Sequence, residues 1–405
     1  MEIQRDIFEC AANSLDINEL KVTLNEYNIN FANKDKKYEI INKLLNLIDE
    51  EKMSEDLYLA IKTKAYSQNN DCNEGFYYQY LSENIDFNYD KFLGVLSKYV
   101  NSEEKSKYGA NTYMYSISGL INNKEEFIVN FTLKKETKLK KFDQIDETVM
   151  IIKELITADV EINYNDSIVY IKSKNFNNSK CVKFFLEKIL NDLRIDKSLG
   201  KIKLHMPKFD GQIVDKWARD EKVDIKGISS MTVHMLDLLS EFDKESNNFT
   251  GYCMKKIYFG NEVINATEKK RIEGSIFFGD DIEECLEISE CILKGKKING
   301  FELLVDYSYF DEALGNDPEI IQVPVTILQE SSTSVRIAIS KDLDTVEKNI
   351  LREIYIDIRK VFLAKLALNK ISNTDQIKNF ITRAKELFGK KGETADSNTH
   401  KAVTL

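Results

Sequence analysis

Apolar residues recur at helical spacing through the first hundred residues of the chain. Within 17–24 and again within 41–48, leucine and isoleucine return every three or four positions, as on one face of an amphipathic helix. Asp16 and Glu19 have the spacing of a capping box, in which each side chain accepts a hydrogen bond from a free backbone N–H of the first turn. The pattern predicts a helical N-terminal region over residues 1–105.

The pattern changes near Tyr108, where aromatic and β-branched residues begin to alternate with polar ones. The alternation predicts two strands, 113–120 and 125–139, joined by a hairpin turn. From residue 144 onward the same criteria predict further helices and strands. The predicted helices are 144–157, 180–194, 212–220, 232–242, 281–293, 345–368 and 376–388. The predicted strands are 160–164, 167–173, 201–205, 252–263, 271–278, 301–307, 320–328 and 334–339.

Two strand–helix segments resemble each other in sequence. Residues 167–174 precede a helix that ends in Asp-Leu-Arg, and residues 334–341 precede a helix that contains Asp-Ile-Arg. Duplication of an α+β unit explains the similarity, because each sheet needs a helix to cover its apolar face. A chance similarity explains it equally well, so both interpretations stay open.

These elements predict an α+β fold, in which an N-terminal helical region is followed by a mixed, mainly antiparallel sheet with covering helices. The predicted divisions are the helical region 1–105, a first α+β unit over 106–199, a second α+β unit with C-terminal helices over 200–389, and a flexible tail over 390–405.

Composition and charge narrow the possible functions. The chain has 405 residues and a formal net charge of -10, and its 42% of hydrophobic residues excludes a disordered chain. An acidic protein cannot offer phosphate-binding charge over its whole surface, so any nucleic-acid site must be a local patch. The sequence contains no run of about 18 apolar residues and no signal-peptide pattern, so we expect a cytoplasmic protein without a membrane partner.

The cysteines and histidines give no sign of a metal site or a disulfide framework. The six cysteines are scattered and include no Cys-x-x-Cys pair, and the three histidines lie far apart in sequence. We therefore expect buried free thiols, no metal and no cofactor.

Residues 15–48 carry a pattern of known type. The pattern is Leu15-x-x-x-Glu19-Leu20-Lys21-x-x-Leu24, then Ile29-x-Phe31, then Lys36-Lys37-x-Glu39-Ile40-Ile41-x-x-Leu44-Leu45. It resembles the SAP module, a small helix–extended loop–helix unit whose family binds DNA. The chain departs from that family at Asn28 and Asp35, where glycines are usual. Asparagine tolerates positive φ, which suits the first of these positions.

The SAP-like resemblance implies that lysines of the loop and the second helix contact phosphates, at a helix N-terminus that itself favours anions. Two further basic stretches could add to such a site, since 134–141 contains five lysines and 352–391 contains ten bases against four acids. The candidate nucleic-acid-binding residues are Lys21, Lys34, Lys36, Lys37, Lys43, Lys134, Lys135, Lys138, Lys140, Lys141, Arg383 and Lys385. A packed helical hairpin, a lysine-protected edge strand and a solvated helix face explain the same residues without nucleic acid.

One group of carboxylates could serve an enzyme. Asp280 and Asp281 follow an apolar segment, and Asp306 and Asp311 close another. Paired carboxylates of this kind hold two magnesium ions in nucleotidyl enzymes, although here the two motifs occur in the reverse of the order found in palm-type polymerases and cyclases. An aspartate before a helix is equally explained as an N-cap. We assign no catalytic residue and keep a magnesium-dependent nucleotidyl enzyme as a remote alternative.

The sequence favours a non-catalytic DNA-binding or nucleic-acid-sensing protein, whose lysines contact the phosphate backbone with steep salt dependence. Frequent Asn, Ile and Lys suggest an AT-rich bacterial genome, and a role in phage defence or on a mobile element is a hypothesis from that usage. The alternative is a protein-assembly (adaptor) subunit that binds another protein or a second copy of itself, which the acidic charge favours. The two functions differ in one feature: whether the candidate cations form a single cationic face.

Overall fold

The fold is known from a computed structural model. The structure describes residues 4–67, 74–79, 89–100, 102–122, 126–143, 146–163, 167–193, 201–207, 211–243, 248–260, 275–279, 285–310, 318–331, 334–339, 346–367, 371–390 and 403–404. The chain divides into two compact units, a first unit formed by Met1–Cys72 and Gln79–Leu204 and a second unit formed by Asn73–Tyr78 and His205–Leu405.

The first unit begins with four helices that share one core. These are α1 (Arg5–Ser14), α2 (Ile17–Glu26), α3 (Lys37–Asp49) and α4 (Glu55–Tyr66), and we call them the helical module. The predicted capping box is confirmed, because Asp16 Oδ1 accepts from the N–H of Glu19 at 2.8 Å and Glu19 Oε2 accepts from the N–H of Asp16 at 2.8 Å. The core of the module includes Leu155 from the sheet of the same unit, so the helices pack on that sheet.

The sheet of the first unit is an antiparallel meander. Its strands are β2 (Glu104–Tyr108), β3 (Asn111–Asn122), β4 (Glu126–Asp143), β5 (Asp146–Asn163) and β6 (Ile168–Ser173), and they lie side by side in sequence order. The predicted β3–β4 hairpin is confirmed, with alternate residues of β4 buried from Phe127 to Leu133. Helices α5 (Tyr89–Ser97) and α6 (Phe176–Asn191) pack on this sheet.

Two of the predicted elements are wrong. The helix expected over 144–157 is instead part of β5, because its isoleucines and leucines fit either period and pairing with β4 along the whole strand satisfies the backbone. No strand forms over 201–204. There the N–H of Leu204 donates to Glu187 Oε1 at 2.7 Å, so a side chain of α6 takes the place of a neighbouring strand.

The second unit has its own antiparallel sheet. Its strands are β1 (Glu74–Gln79), β7 (Phe249–Gly260), β8 (Ser275–Phe278), β9 (Lys297–Tyr309), β10 (Glu319–Ser331), β11 (Ser334–Ile339) and β12 (Val403–Thr404), in the spatial order β12-β8-β7-β9-β10-β11-β1. The pattern did not predict β1, which lies in the region expected to be helical and buries Phe76, Tyr77 and Tyr78 completely. Of the predicted tail, β12 pairs with β8, and residues 391–402 and 405 lie outside the described residues.

Helices of the second unit pack on its sheet and on one another. They are α7 (Gly211–Asp220), α8 (Ser230–Leu239), α9 (Leu286–Leu293), α10 (Lys348–Ala367) and α11 (Thr374–Lys390), with a 3₁₀ turn at Ser240–Asp243. Helix α8 packs on β9 and α10 packs on β11. Across the described ranges, none of the helices combines the length and the apolar character needed to cross a lipid bilayer.

The predicted α+β class, with N-terminal helices and antiparallel sheets, is confirmed. Both similar strand–helix segments form as strand and helix, with β6 preceding α6 and β11 preceding α10. Each helix packs on the strand before it, as a duplicated unit requires. The duplication itself stays a prediction.

A buried ion cluster joins three helices of the second unit. The Nζ of Lys365 on α10 lies 2.8 Å from Asp237 Oδ2 and 2.6 Å from Glu241 Oε1, and its side chain is only 6% exposed. Asp237 Oδ1 also accepts from the N–H of Asn373 at 3.0 Å, which fixes the residue before α11. Buried charges of this kind are tolerable only while each has its partner.

We expect Lys365→Met to lower the free energy of unfolding by about 3–5 kcal/mol, because it leaves two carboxylates buried without their cation. Lys360 is a matched control on the same helix, since its side chain is 70% exposed and pairs with Asp357 at the surface. Lys360→Met should cost less than about 1 kcal/mol. Urea unfolding followed by circular dichroism measures both, and equal losses in the two variants would contradict the structural role of the cluster.

Candidate nucleic-acid interface

The helical module has the helix–extended loop–helix shape that the SAP-like resemblance implies. Helix α2 ends at Glu26 and α3 begins at Lys37, with a loop between them. Asn28 has φ of 57°, a conformation that asparagine adopts more readily than most residues. Ile29 and Phe31 of the loop pack on the core of the module. The family assignment itself stays a prediction, because many helical hairpins share this outline.

At the second departure from the family pattern, an aspartate organises the loop. Asp35 Oδ2 accepts from the Nζ of Lys43 at 2.6 Å and from the N–H of Ala32 at 3.0 Å. These hydrogen bonds, that of Lys43 first, lower the pKa of Asp35 below its usual value. Lys43 is therefore neutralised by a neighbouring carboxylate within the loop–helix unit.

One lysine at the start of α3 is turned into the protein. The Nζ of Lys37 donates to the carbonyl oxygen of Asn13 on α1 at 2.6 Å, and burial lowers the pKa of Lys37. The N–H of Lys36 donates to Glu39 Oε2 at 2.7 Å, so a carboxylate already occupies this helix N-terminus. A phosphate would have to displace Glu39 to use the same donor.

The remaining lysines of the helical module differ in their surroundings. The Nζ of Lys21 donates to the carbonyl oxygen of Asn33 at 2.9 Å and lies 5.8 Å from the centre of the Phe31 ring. The side chains of Lys34 and Lys36 are exposed. Of the five candidate lysines in the module, Lys34, Lys36 and Lys43 are therefore at the surface, and Lys43 is paired with Asp35 there.

The lysine-rich stretch lies on β4, as predicted, and two of its lysines are paired. Lys134 forms an ion pair with Glu103, and Lys135 lies 2.7 Å from Glu154 on the adjacent strand β5. Lys138 is exposed. The side chains of Lys140 and Lys141 lie outside the described residues.

The two C-terminal candidates lie on α11, in the second unit. The Nζ of Lys385 donates to both the carbonyl oxygen and Oδ2 of Asp224, each at 2.8 Å, and this pairing lowers the pKa of Asp224. Arg383 is exposed and lines a cavity of about 220 Å³ between α8 and α11. Within each unit, the structure sets most of the described candidate cations beside carboxylates or carbonyl oxygens.

The carboxylates considered for an enzyme are not assembled in the described part of the chain. Asp306 Oδ1 accepts from Gln322 Nε2 at 2.8 Å on the neighbouring strand. Asp280, Asp281 and Asp311 lie outside the described residues. Among the residues that the structure does describe, no group of three or more His, Cys, Asp or Glu side chains could hold a metal ion.

Sequence reasoning missed a groove on the second sheet, which we call the sheet groove. It is a cavity of about 590 Å³ on the face turned away from α8 and α10, and Tyr258, Glu302, Arg336 and Glu74 line it. Tyr258 donates its hydroxyl to Glu302, and burial together with this bond raises the pKa of the phenol. Glu302 lies between buried apolar neighbours on β9. This charged residue in an apolar strand was the signal in the sequence that could have indicated the groove.

No family model and no curated protein matches the chain. Among solved structures, a protein described as "Ntf2 like protein involved in plasmid conjugation" is 9% identical and has a TM-score of 0.11, with 65% of this chain and 93% of that chain covered. A TM-score this low carries no argument about fold or function. Any inference about function therefore depends on the side chains of this chain alone.

Of the described cysteines, the expectation of buried thiols holds for three, while Cys285 is only partly buried and Cys253 is exposed. Cys10, Cys181 and Cys291 are buried, whereas Cys253 on β7 is exposed because its strand position faces away from the helices. Burial raises the pKa of Cys10 to about 11.

We expect Cys253 to react with iodoacetamide at pH 8 in the folded protein while Cys10 stays unmodified. With a pKa of about 11, only about 0.1% of Cys10 is thiolate at that pH, and burial also blocks access. Mass spectrometry of the digested protein measures both sites, and denatured protein is the control in which both react. Comparable labelling of Cys10 and Cys253 before denaturation would contradict the described packing of α1.

Proposed function

We propose that this chain is a protein-assembly (adaptor) subunit that acts in the cytoplasm without direct nucleic-acid contact. The observation that carries the proposal is the use of candidate phosphate-binding lysines inside the fold: Lys37 caps α1, Lys43 pairs with Asp35, and Lys135 pairs with Glu154. Paired cations release few counterions when a polyanion approaches, so they contribute little affinity. The formal net charge of -10 opposes a polyanion further.

The helical module supplies the surface through which an adaptor could bind another protein. One face of the module is buried in the core that includes Leu155. On its helices, the exposed fraction is 54% for Val22, 44% for Tyr38 and 39% for Leu59. Aromatic and aliphatic side chains at a protein surface favour protein–protein contact. The partner would be another protein or a second copy of this chain.

Copurification from cells of the source organism tests the adaptor function. We expect a partner at near-equal amount with the wild-type chain, and its loss with Val22→Glu combined with Tyr38→Glu, because two charges would then face an apolar interface. Ile356→Glu on α10 is the matched control, since Ile356 is also an exposed apolar residue, at 37%. Identical sets of proteins, measured by quantitative mass spectrometry, with the wild type and the double variant would reject this surface.

A DNA-binding protein is the second candidate, and one observation favours it. The exposed side chains of Lys34 and Lys36 lie in or next to the loop whose shape, with positive φ at Asn28, matches the SAP-like resemblance. Lys138 is a further exposed cation of the first unit. Contacts of these lysines would be with phosphates, so affinity would be independent of sequence and steeply dependent on salt. The role in phage defence or on a mobile element stays a hypothesis.

Fluorescence anisotropy with duplex and single-stranded DNA separates the two functions. For an adaptor we expect dissociation constants weaker than about 10⁻⁴ M at low salt, poorer than typical non-specific binding. Tighter binding that falls with salt, is lost in Lys34→Glu combined with Lys36→Glu, and is kept in the control Lys98→Glu would establish the DNA-binding function instead. Lys98 is an exposed lysine that follows α5 in the same unit.

A further inference from the structure

Strand β8 has a complete partner strand on one side only. β7 pairs with all four residues of β8, from Ser275 to Phe278. On the other side, the described residues of β12 pair with only two of them, Val403 with Ile276 and Thr404 with Ser275. Without β12, the backbone of β8 would therefore form an open edge of the second sheet.

β8 lacks charge and proline, two features that usually protect a sheet edge. Its sequence is Ser-Ile-Phe-Phe. Phe278 is exposed, and the register places it and Ile276 on the face opposite to the buried Ile257 of β7. Natural edge strands are normally protected by lysine, proline, a bulge or a covering segment. β8 therefore depends on β12, or on an equivalent strand, to cover it.

The attachment of β12 to this edge is weak. Hydrogen-bonded and non-hydrogen-bonded pairs alternate along an antiparallel ladder, so two paired residues supply about two backbone hydrogen bonds. Each such bond makes only a small net contribution, because it replaces a bond to water. The segment can therefore leave β8 readily, and the same edge is then available to another strand.

The chain before β12 is long enough to reach a neighbouring molecule. Twelve residues, 391–402, separate the end of α11 at Lys390 from Val403. A connection of this length spans up to about 40 Å. A second copy has the same strand and the same edge, so every contact of the observed pairing is reproduced between copies. Exchange of an identical element in this way is a low-cost route to a dimer.

We propose that β8 is a strand-exchange site, at which Val403–Thr404 of one copy pair with Ser275–Ile276 of a second copy. Reciprocal exchange closes a symmetric dimer and leaves neither β8 edge open. The apolar Ile276 and Phe278 then lie next to the second molecule. This interaction surface goes beyond the adaptor function and does not rest on the exposed residues of the helical module.

Disulfide trapping between full-length chains tests the exchange. One chain carries Ile276→Cys, a second, affinity-tagged chain carries Val403→Cys, and both carry Cys253→Ser to remove an exposed native thiol. Residues that face each other in an antiparallel pair have Cα atoms about 4.5–5.5 Å apart, which suits a disulfide. After mixing and mild oxidation we expect a covalent heterodimer, and mass spectrometry of the digest should show the bond between positions 276 and 403.

Phe278→Cys paired with Val403→Cys is the matched control. Position 278 is more exposed than position 276 but is not the register partner of Val403, so random collisions would favour it and strand exchange would not. We expect at least about fivefold more heterodimer with Ile276→Cys. A yield no greater than that of the control would overturn the proposal. So would a chain carrying both Ile276→Cys and Val403→Cys that closes only on itself at every protein concentration.

Light scattering of the wild-type chain gives an independent measurement. The dimer fraction should rise with protein concentration by mass action. It should be lost in Val403→Pro combined with Thr404→Pro, because neither residue can then donate a backbone hydrogen bond to β8. Ser397→Pro combined with Asn398→Pro, six positions earlier in the chain, should keep the dimer. A chain that stays monomeric at every concentration, or a dimer that survives the prolines in β12, would overturn the proposal.

The adaptor surface can fail or hold independently of this dimer. Copurification through Val22 and Tyr38 does not involve β8, so Val22→Glu combined with Tyr38→Glu should leave the dimer unchanged. Loss of the dimer in that variant would reject β8 as its interface.

Discussion

Burial of strand residues under helices constrains everything else in this protein. Alternate residues of β4 and β9 are fully buried, and the residues between them are left on the opposite face. The same alternation that builds the two cores therefore selects which polar groups remain accessible. Glu302 and Asp306 owe their accessibility to it, because each follows a residue that faces the helices.

The helical module is an integral part of the first unit. Its core includes Leu155 of β5, Lys153 lies 2.9 Å from Asp6 of α1, and Lys174 lies 3.9 Å from Glu19 of α2. One side of the module is therefore fixed to the sheet, and only the other side can meet a partner. A SAP-like outline does not by itself provide a phosphate site when Lys37 donates into the protein and Glu39 occupies the N-terminus of the second helix.

Several of the described lysines are balanced by a neighbouring carboxylate. Lys134 and Lys135 of β4 lie beside glutamates of neighbouring segments, and Lys385 lies against Asp224. Pairs at the surface contribute little stability, yet each one reduces the field that a nucleic acid would experience.

The sequence by itself determined the elements whose signals are local: the capping box of α2, the helical periods of α2 and α3, and the alternation of the β3–β4 hairpin. It could not decide 144–157, where one apolar pattern fits both helix and strand and pairing with β4 selected the strand. Only the tertiary structure decided the role of each lysine. Lys37 meets Asn13 from 24 residues away and Lys385 meets Asp224 from 161, and no local pattern specifies contacts made by chain segments so far apart.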